Sequence, residues 1–213
     1  EEVLLNDDID LKGNPFFLRE DDIRWVRHVL ESLTLAEKVG QLFMFNTHSL
    51  LSLRSDLKDI LQFKPGGVFL MSNLAFFQRK KAKYLQEHST IPLLIAGDLE
   101  NGGFSGAING TFFNTSMGIG ATGDDEVAYK CGVVSGREGK ALGFNWTFSP
   151  VVDINYNFQN PITNIRSFGD DPGLVSRMAR AYIKGVQETG MAATAKHWPG
   201  DGMDDRNQHL CTT

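Results

Sequence analysis

Residues 196–209 read Lys196-His197-Trp198-Pro199-Gly200-Asp201-Gly202-Met203-Asp204-Asp205-Arg206-Asn207-Gln208-His209 and concentrate reactive side chains in one short stretch. Two histidines, three aspartates, a lysine and a tryptophan are too polar for a core and too glycine-rich for a helix. Lys196 and His197 directly follow the apolar residues 191–195, so two hydrogen-bond donors stand at the end of a buried strand. Trp198 adds a flat apolar face and Pro199-Gly200 a turn. That combination suits a polyhydroxylated ligand such as a sugar: donors for the hydroxyls, an aromatic surface for the C–H groups. An acidic surface loop is the plainer alternative. A metal site built from His197, Asp201, Asp205 and His209 is a sharper one, but its spacing matches no standard zinc or calcium pattern. Neither a metal nor an organic cofactor is expected.

Two more apolar runs end in acids: Asp98 follows residues 93–96 and Asp153 follows residues 148–152. These runs belong to an alternation of elements along the chain. Helical spacing marks residues 21–33, where Ile23, Val26, Leu30 and Leu33 share a face, and Thr34 with Glu37 fits a capping box. Strands are predicted over 42–45, 68–70, 93–96, 146–152 and 191–195, with residues 93–96 covered on both faces. Helices are predicted over 53–63, 74–88, 124–142 and 172–189, and a glycine-rich loop over 101–123. Repeated strand–helix alternation implies βαβ units and a parallel sheet. Periodicity alone fits a doubly wound sheet or a barrel. Polar groups at three successive strand ends favour an α/β fold of the (β/α)8 TIM-type barrel, because ligands bind at the carboxyl ends of its strands. About five βα units are present, so the barrel is expected only in part. Residues 1–33 form a leading segment and helix, and residues 34–213 the barrel units.

Composition excludes several partners. Lys plus Arg is 21 against 26 Asp plus Glu, a formal charge of −5, so nucleic acid is not an expected partner. The one basic cluster, Arg79-Lys80-Lys81-Ala82-Lys83, reads as a solvated helix face. No apolar run reaches the roughly 18 residues of a membrane span, so no membrane is expected either. Cys131 and Cys211 give neither a disulfide framework nor a zinc spacing. The compartment stays open, with the cytoplasm as default and secretion after signal-peptide removal compatible. The chain begins without Met and stops at Cys211-Thr212-Thr213, so both ends read as cut from a longer protein. Gly118-Ile119-Gly120-Ala121-Thr122-Gly123 matches a dinucleotide fingerprint but lacks a preceding buried strand, and reads instead as turn glycines before a helix. Glycosylation sequons at Asn109, Asn114 and Asn145 carry no weight by themselves.

Seven stretches in order then resemble glycoside hydrolase family 3, in particular its β-N-acetylhexosaminidase branch. They are Glu37-Lys38-Val39-Gly40-Gln41, Pro65-Gly66-Gly67-Val68, the segment from Ile91 to Glu100, Gly120-Ala121-Thr122-Gly123-Asp124, Phe148-Ser149-Pro150-Val151-Val152-Asp153, Ile165-Arg166-Ser167-Phe168-Gly169, and Ala193-Thr194-Ala195-Lys196-His197-Trp198-Pro199-Gly200. The resemblance runs from about Thr34 to the end. It implies a barrel that removes terminal β-linked sugars with retention, through a glycosyl-aspartate intermediate. By that resemblance Asp98, Arg166, Lys196 and His197 line the sugar subsite. Arg166 has a competing structural role, pairing with Asp170 or Asp171.

The same resemblance places the acid/base on His209 and its orienting partner on Asn207. Free imidazole titrates near pH ~6.5, so it can give and take a proton near neutrality. Asn207 stands where the branch carries an aspartate; it can accept a hydrogen bond from the ring but supplies no charge, and Asp204 or Asp205 could stand in. The nucleophilic aspartate is expected beyond residue 213, so residues 1–213 alone should not turn over. An arginine-bearing segment common in the branch after D-x-E is replaced by Asn101-Gly102-Gly103-Phe104-Ser105-Gly106. The expected activity is exo-cleavage of terminal β-linked N-acetylglucosamine, with a carbohydrate substrate as the expected partner and the oligomeric state left open. A β-glucosidase or β-xylosidase of the same family, or a non-catalytic sugar-binding barrel, are the alternatives.

Overall fold

Five strands pair side by side in chain order and all run parallel: β1 (Met44–Thr47), β2 (Gly67–Leu70), β3 (Leu94–Gly97), β4 (Trp146–Thr147) and β5 (Ala192–Ala193). The computed structural model describes residues 9–47 and 54–210. A doubly wound sheet reverses its strand order at a switch point. The order here does not reverse, which is the progression of a barrel wall, present in part. Between the strands lie α3 (Arg54–Gln62), α4 (Ala75–His88), α5 (Ser116–Gly120), α6 (Asp125–Leu142) and α7 (Pro172–Glu188), after the leading α1 (Glu20–Ser32) and α2 (Leu35–Gly40).

Local chemistry sets the helix ends. Thr34 Oγ1 accepts the Glu37 N–H at 3.3 Å while Glu37 Oε2 accepts the Thr34 N–H at 2.8 Å, the reciprocal box expected from the sequence. Glu37 also meets Lys64, and these bonds hold its carboxyl down at about 2. Asp124 caps α6 through Glu126 N at 2.9 Å, and Gly143, at φ 93°, closes it in the left-handed conformation that glycine adopts without penalty. Asp171 caps α7 through Leu174 N at 2.6 Å, with Pro172 in the first turn.

One face of the sheet, Val68, Leu70 and Ile95, packs completely against the helices with Leu85, Met178 and Tyr182. The other face carries Phe69, Leu94, Ala96 and Trp146, with Ala96 fully buried and Leu94 half exposed. A curved barrel wall turns this face inward, where Phe69 stacks on Phe148 with centroids 5.4 Å apart and Trp146 meets Phe148 edge-on. The predicted strand over 146–152 shortens to two residues. Beyond them Phe148 N still donates to Gly97 O at 3.2 Å and Thr194 N to Ser149 O at 3.1 Å, Pro150 has no N–H to give the ladder, and the Val151–Lys196 bridge follows. The predicted strand over 191–195 shortens likewise, and β1 begins two residues late because Leu42 and Phe43 still bond back to Val39 and Gly40. The glycine-rich loop contains α5, so Gly118 and Gly120 are helical rather than turn residues; a Cβ at Gly120 would strike the Phe168 carbonyl. Arg79, Lys80 and Lys83 of the basic cluster are exposed, as a solvated helix face requires, while Lys81 and Ala82 turn inward and are buried. Asn145 is part of the sheet itself, accepting from Ile95 N at 2.8 Å and donating to Leu93 O at 2.9 Å. Leu53 and Cys211 lie outside the described residues. No described helix is long and apolar enough to cross a membrane.

α6 and α7 cross with backbone nearly touching backbone. Gly132 and Gly185 face one another, and a Cβ at Gly132 would run into the Tyr182 carbonyl oxygen. Alanine in an open helix interior stabilises by up to ~1 kcal/mol over glycine. Gly132→Ala should reverse that sign and destabilise by about 1–3 kcal/mol, seen as a lowered melting temperature of the full-length protein. An unchanged or raised melting temperature would refute the close-packing account.

Candidate active site

The candidate site begins with a single backbone position. Leu99, just past the end of β3, shares its N–H between Thr147 Oγ1 at 3.2 Å and Ser149 Oγ at 3.1 Å. Its carbonyl accepts from the Tyr182 hydroxyl at 2.6 Å and from Ser135 Oγ at 3.3 Å. Burial pushes the Tyr182 phenol up, so it remains a donor at every physiological pH. The β4 segment, α6 and α7 therefore hold one residue through both its N–H and its carbonyl. The carboxylates of Asp98 and Glu100 flank that fixed point.

Opposite them, the chain after β5 lies against residues 150–152. Val152 N donates to Lys196 O at 2.6 Å, and Lys196 N to Pro150 O at 3.1 Å. This pairing delivers the Lys196 ammonium to both acids, 2.8 Å from Asp98 Oδ1 and 2.7 Å from Glu100 Oε1. Arg166 completes the cluster as a two-pronged partner of Glu100, Nε to Oε2 at 2.8 Å and Nη2 to Oε1 at 2.7 Å, and also donates to Ile162 O at 3.1 Å. The Glu100 side chain is only 11% exposed. Burial alone would raise its pKa, yet the bonds from Arg166 and the charge of Lys196 outweigh it and hold Glu100 below the usual carboxylate range. Asp98 keeps 42% of its side chain open. The cluster thus presents an accessible carboxylate beside restrained cations, the donor and acceptor set that sugar hydroxyls need.

A second pair sits next to it. Asp153 Oδ2 accepts from the His197 ring Nδ1 at 2.7 Å and from the His197 backbone N–H at 3.1 Å, and the Lys196–His197 peptide is cis. With Nδ1 committed as donor to an ionised carboxylate, Nε2 of neutral His197 is an acceptor. Further along, His209 bonds to Asn207: Oδ1 takes the backbone N–H at 3.0 Å and the ring Nδ1 at 2.9 Å. Two donors on one amide oxygen fix the amide's orientation. The His209 proton therefore resides on Nδ1, and Nε2 is its exchanging nitrogen.

Asp98, Lys196, His197 and Arg166, separated by up to 99 positions in sequence, gather at the carboxyl edge of β3–β5. His209 and Asn207 pair with each other on the loop above. Arg166 meets Glu100 rather than Asp170 or Asp171, because Asp171 is occupied in capping α7. Asp204 and Asp205 form ion pairs with Arg206, so neither replaces Asn207 on the His209 ring. His197 and His209 have separate partners, and no group of three or more His, Cys, Asp or Glu among the described residues has metal-holding geometry. Glu100 and the partners of Asp153 were missed by sequence reasoning. The only available signal for Glu100 was its spacing two residues after Asp98, which alternation places on the same side of an extended chain.

Charged groups gathered at the carboxyl edge of parallel strands define the ligand-binding end of an α/β barrel domain. Residues 34–213 match the model of the glycosyl hydrolase family 3 N-terminal domain, and the chain belongs to that family. It is 42% identical over 206 residues to a β-N-acetylglucosaminidase/β-glucosidase of Cellulomonas fimi, covering 95% of this chain and 36% of that protein. A β-hexosaminidase A of Pseudoalteromonas piscicida is 38% identical over 130 residues, 58% of this chain and 22% of that one. Among solved structures, a β-glucoside phosphorylase, BglX, bound to 2FGlc superposes with a TM-score of 0.88 at 41% identity, over 93% of this chain and 36% of that one. A family 3 β-N-acetylglucosaminidase from Paenibacillus sp. superposes at 0.74 with 35% identity, over 84% and 35% of the two chains. The chain thus spans about a third of the length of the first of these relatives.

Replacing Glu100 by Gln strips Arg166 of its carboxylate and leaves Lys196 with Asp98 alone, so Glu100→Gln should cost about 3 kcal/mol at pH 7. The folded-state pKa of Glu100 is depressed, so its contribution is complete above the unfolded value of ~4.3 and is lost as pH falls through the folded value. The melting-temperature gap between the parent and Glu100→Gln should therefore narrow from pH 7 to pH 3. A gap independent of pH would remove the ionic account of the cluster.

Proposed function

We propose that the full-length protein is a retaining exo-glycosidase acting on a terminal β-linked sugar, preferentially N-acetylglucosamine, with residues 34–213 supplying the first units of its barrel. The observation that carries this reading is the convergence of Asp98, Arg166, Lys196 and His197 on one sheet edge. Asp98 and His197 Nε2 accept from sugar hydroxyls, while Lys196 and Arg166 donate. His209 protonates the departing glycosidic oxygen as a carboxylate beyond residue 213 attacks the anomeric carbon, forming a glycosyl ester. His209, now the base, then takes a proton from water as water displaces the carboxylate, and the anomeric configuration is retained. Asn207 keeps His209 in one tautomer throughout. The names of the Cellulomonas fimi and Paenibacillus relatives support the N-acetylglucosamine preference, and the first of them also names glucose chemistry.

A second reading has a specific basis. The two solved structures titled β-glucoside phosphorylase share 41% identity with this chain, and His209 rests on a neutral amide. A carboxylate at position 207 about 4 Å from an incoming phosphate would oppose it by roughly 4 kcal/mol at an effective dielectric of about 20. Asn207 removes that barrier, so phosphate in place of water would resolve the glycosyl ester to a sugar 1-phosphate.

Full-length protein assayed on p-nitrophenyl N-acetyl-β-glucosaminide and the matching β-glucoside, with and without inorganic phosphate, separates these readings. The N-acetylglucosaminide should have the higher kcat/KM, and His209→Ala should lower alkyl-glycoside cleavage by about 10²–10⁴-fold. Phosphate-stimulated turnover that yields sugar 1-phosphate, and that Asn207→Asp suppresses, establishes the second reading. Undiminished activity in His209→Ala would defeat both.

A further inference from the structure

We propose that Asp153 is a positioning residue that couples the sugar-contacting His197 to the loop carrying His209, so that one buried carboxylate aligns both the subsite and the proton donor. This rests on the reading of His209 as acid/base. The Asp153 side chain is wholly buried. Its two oxygens are spent on the chain that follows β5: Oδ2 on the backbone and ring N–H groups of His197, Oδ1 on the Asp201 N–H at 2.6 Å. A buried carboxylate whose hydrogen bonds come from three N–H donors depends on all three being in place. Burial favours its neutral form, but those hydrogen bonds prevail and keep it below the usual carboxylate range.

The connection continues outward from Asp201. Its Oδ2 accepts from Gln208 Nε2 at 2.7 Å, its carbonyl accepts from Asn160 Nδ2, and Gly202 O accepts from Asn157 N at 3.0 Å. A Cβ at Gly202 would strike the Ile154 carbonyl, so the loop lies directly on the segment that Asp153 begins. Gln208 is the covalent neighbour of His209. Asp153 thus sets the base of the loop at Asp201, and Gln208 carries that setting to the residue before the acid/base. An asparagine at 153 would turn an N–H₂ toward an N–H donor on one side or the other. The resulting shift of an ångström at the acid/base is worth about a hundredfold in rate.

The test compares kcat/KM of full-length variants on two substrates with the same sugar: a 2,4-dinitrophenyl glycoside, whose leaving group departs without a proton, and a methyl glycoside, which needs one. His209→Ala should lose far more on the methyl glycoside. Asp153→Asn should show the same asymmetry, losing at least tenfold more on the methyl glycoside. Gln208→Ala should shift in the same direction by a smaller factor with an unchanged melting temperature, so the test survives if Asp153→Asn fails to fold. His197→Ala removes a sugar contact and also one of the three Asp153 donors, so it should lose on both substrates and more on the methyl glycoside. Equal losses on both substrates for Asp153→Asn and Gln208→Ala, with His209→Ala still asymmetric, overturn the coupling while leaving the acid/base reading intact. A symmetric His209→Ala overturns the acid/base reading and the coupling with it.

Discussion

Glu100 is an enclosed carboxylate held ionised by two cations, and the meeting of three chain segments at that point organises the polar edge of the sheet. Arg166 arrives from the loop before α7, Lys196 from the end of β5, and Glu100 itself from the end of β3. Three chain segments must therefore reach one point with hydrogen-bond precision, or a charge is left buried alone at a cost of several kcal/mol. The reward is preorganisation. Two long, flexible cationic side chains are already restrained before any ligand arrives, so their conformational entropy is not a cost of binding. Asp98 shares Lys196 with Glu100 but stays open, which makes it the exposed face of an otherwise internal network.

Such tolerance demands a scaffold without slack. Leu99 supplies it at the peptide level, held through both its N–H and its carbonyl by Thr147, Ser149, Tyr182 and Ser135. Behind Tyr182 the α6–α7 crossing relies on Gly132 and Gly185, which let two helix backbones meet closely enough for the phenol to reach Leu99. The polar edge is thus braced through a chain of contacts from helix crossing to hydroxyl to backbone carbonyl. The Asn145 amide plays the corresponding part inside the sheet, bonding both Leu93 and Ile95 of the neighbouring segment.

The two histidines differ in what stands behind them. His197 rests on a buried carboxylate, whereas His209 rests on the neutral amide of Asn207 in an exposed loop. Both arrangements fix a tautomer, but only the first can stabilise an imidazolium by charge. An amide partner leaves the surroundings of His209 less anionic, a property that matters whenever the species approaching the sugar carries negative charge itself. One loop therefore combines a fastened end at Asp201 with a lightly supported end at His209.

Much of this was legible in the residues alone. Alternating apolar runs and capped helices identified the βα units, since a strand buried by helices must be apolar and a helix end must satisfy its amides, as Thr34, Asp124 and Asp171 do. Asp98, Asp153, Lys196 and His197 stood out because a polar residue immediately after a buried strand has few places to be except at the sheet edge. Other features depended on distance in three dimensions. Nothing local marks Glu100 as the partner of Arg166, 66 positions away, or Lys81 as buried. Strand lengths were overestimated because hydrophobicity continues past Pro150, where the backbone has no N–H to extend the ladder. The sequence determined which residues are fit for the site and near which strand ends they lie, because periodicity and burial are local properties. Only the tertiary structure decided who pairs with whom, because an ion pair is selected by the competition of all charges brought within a few ångströms, and that competition exists only once the chain has folded.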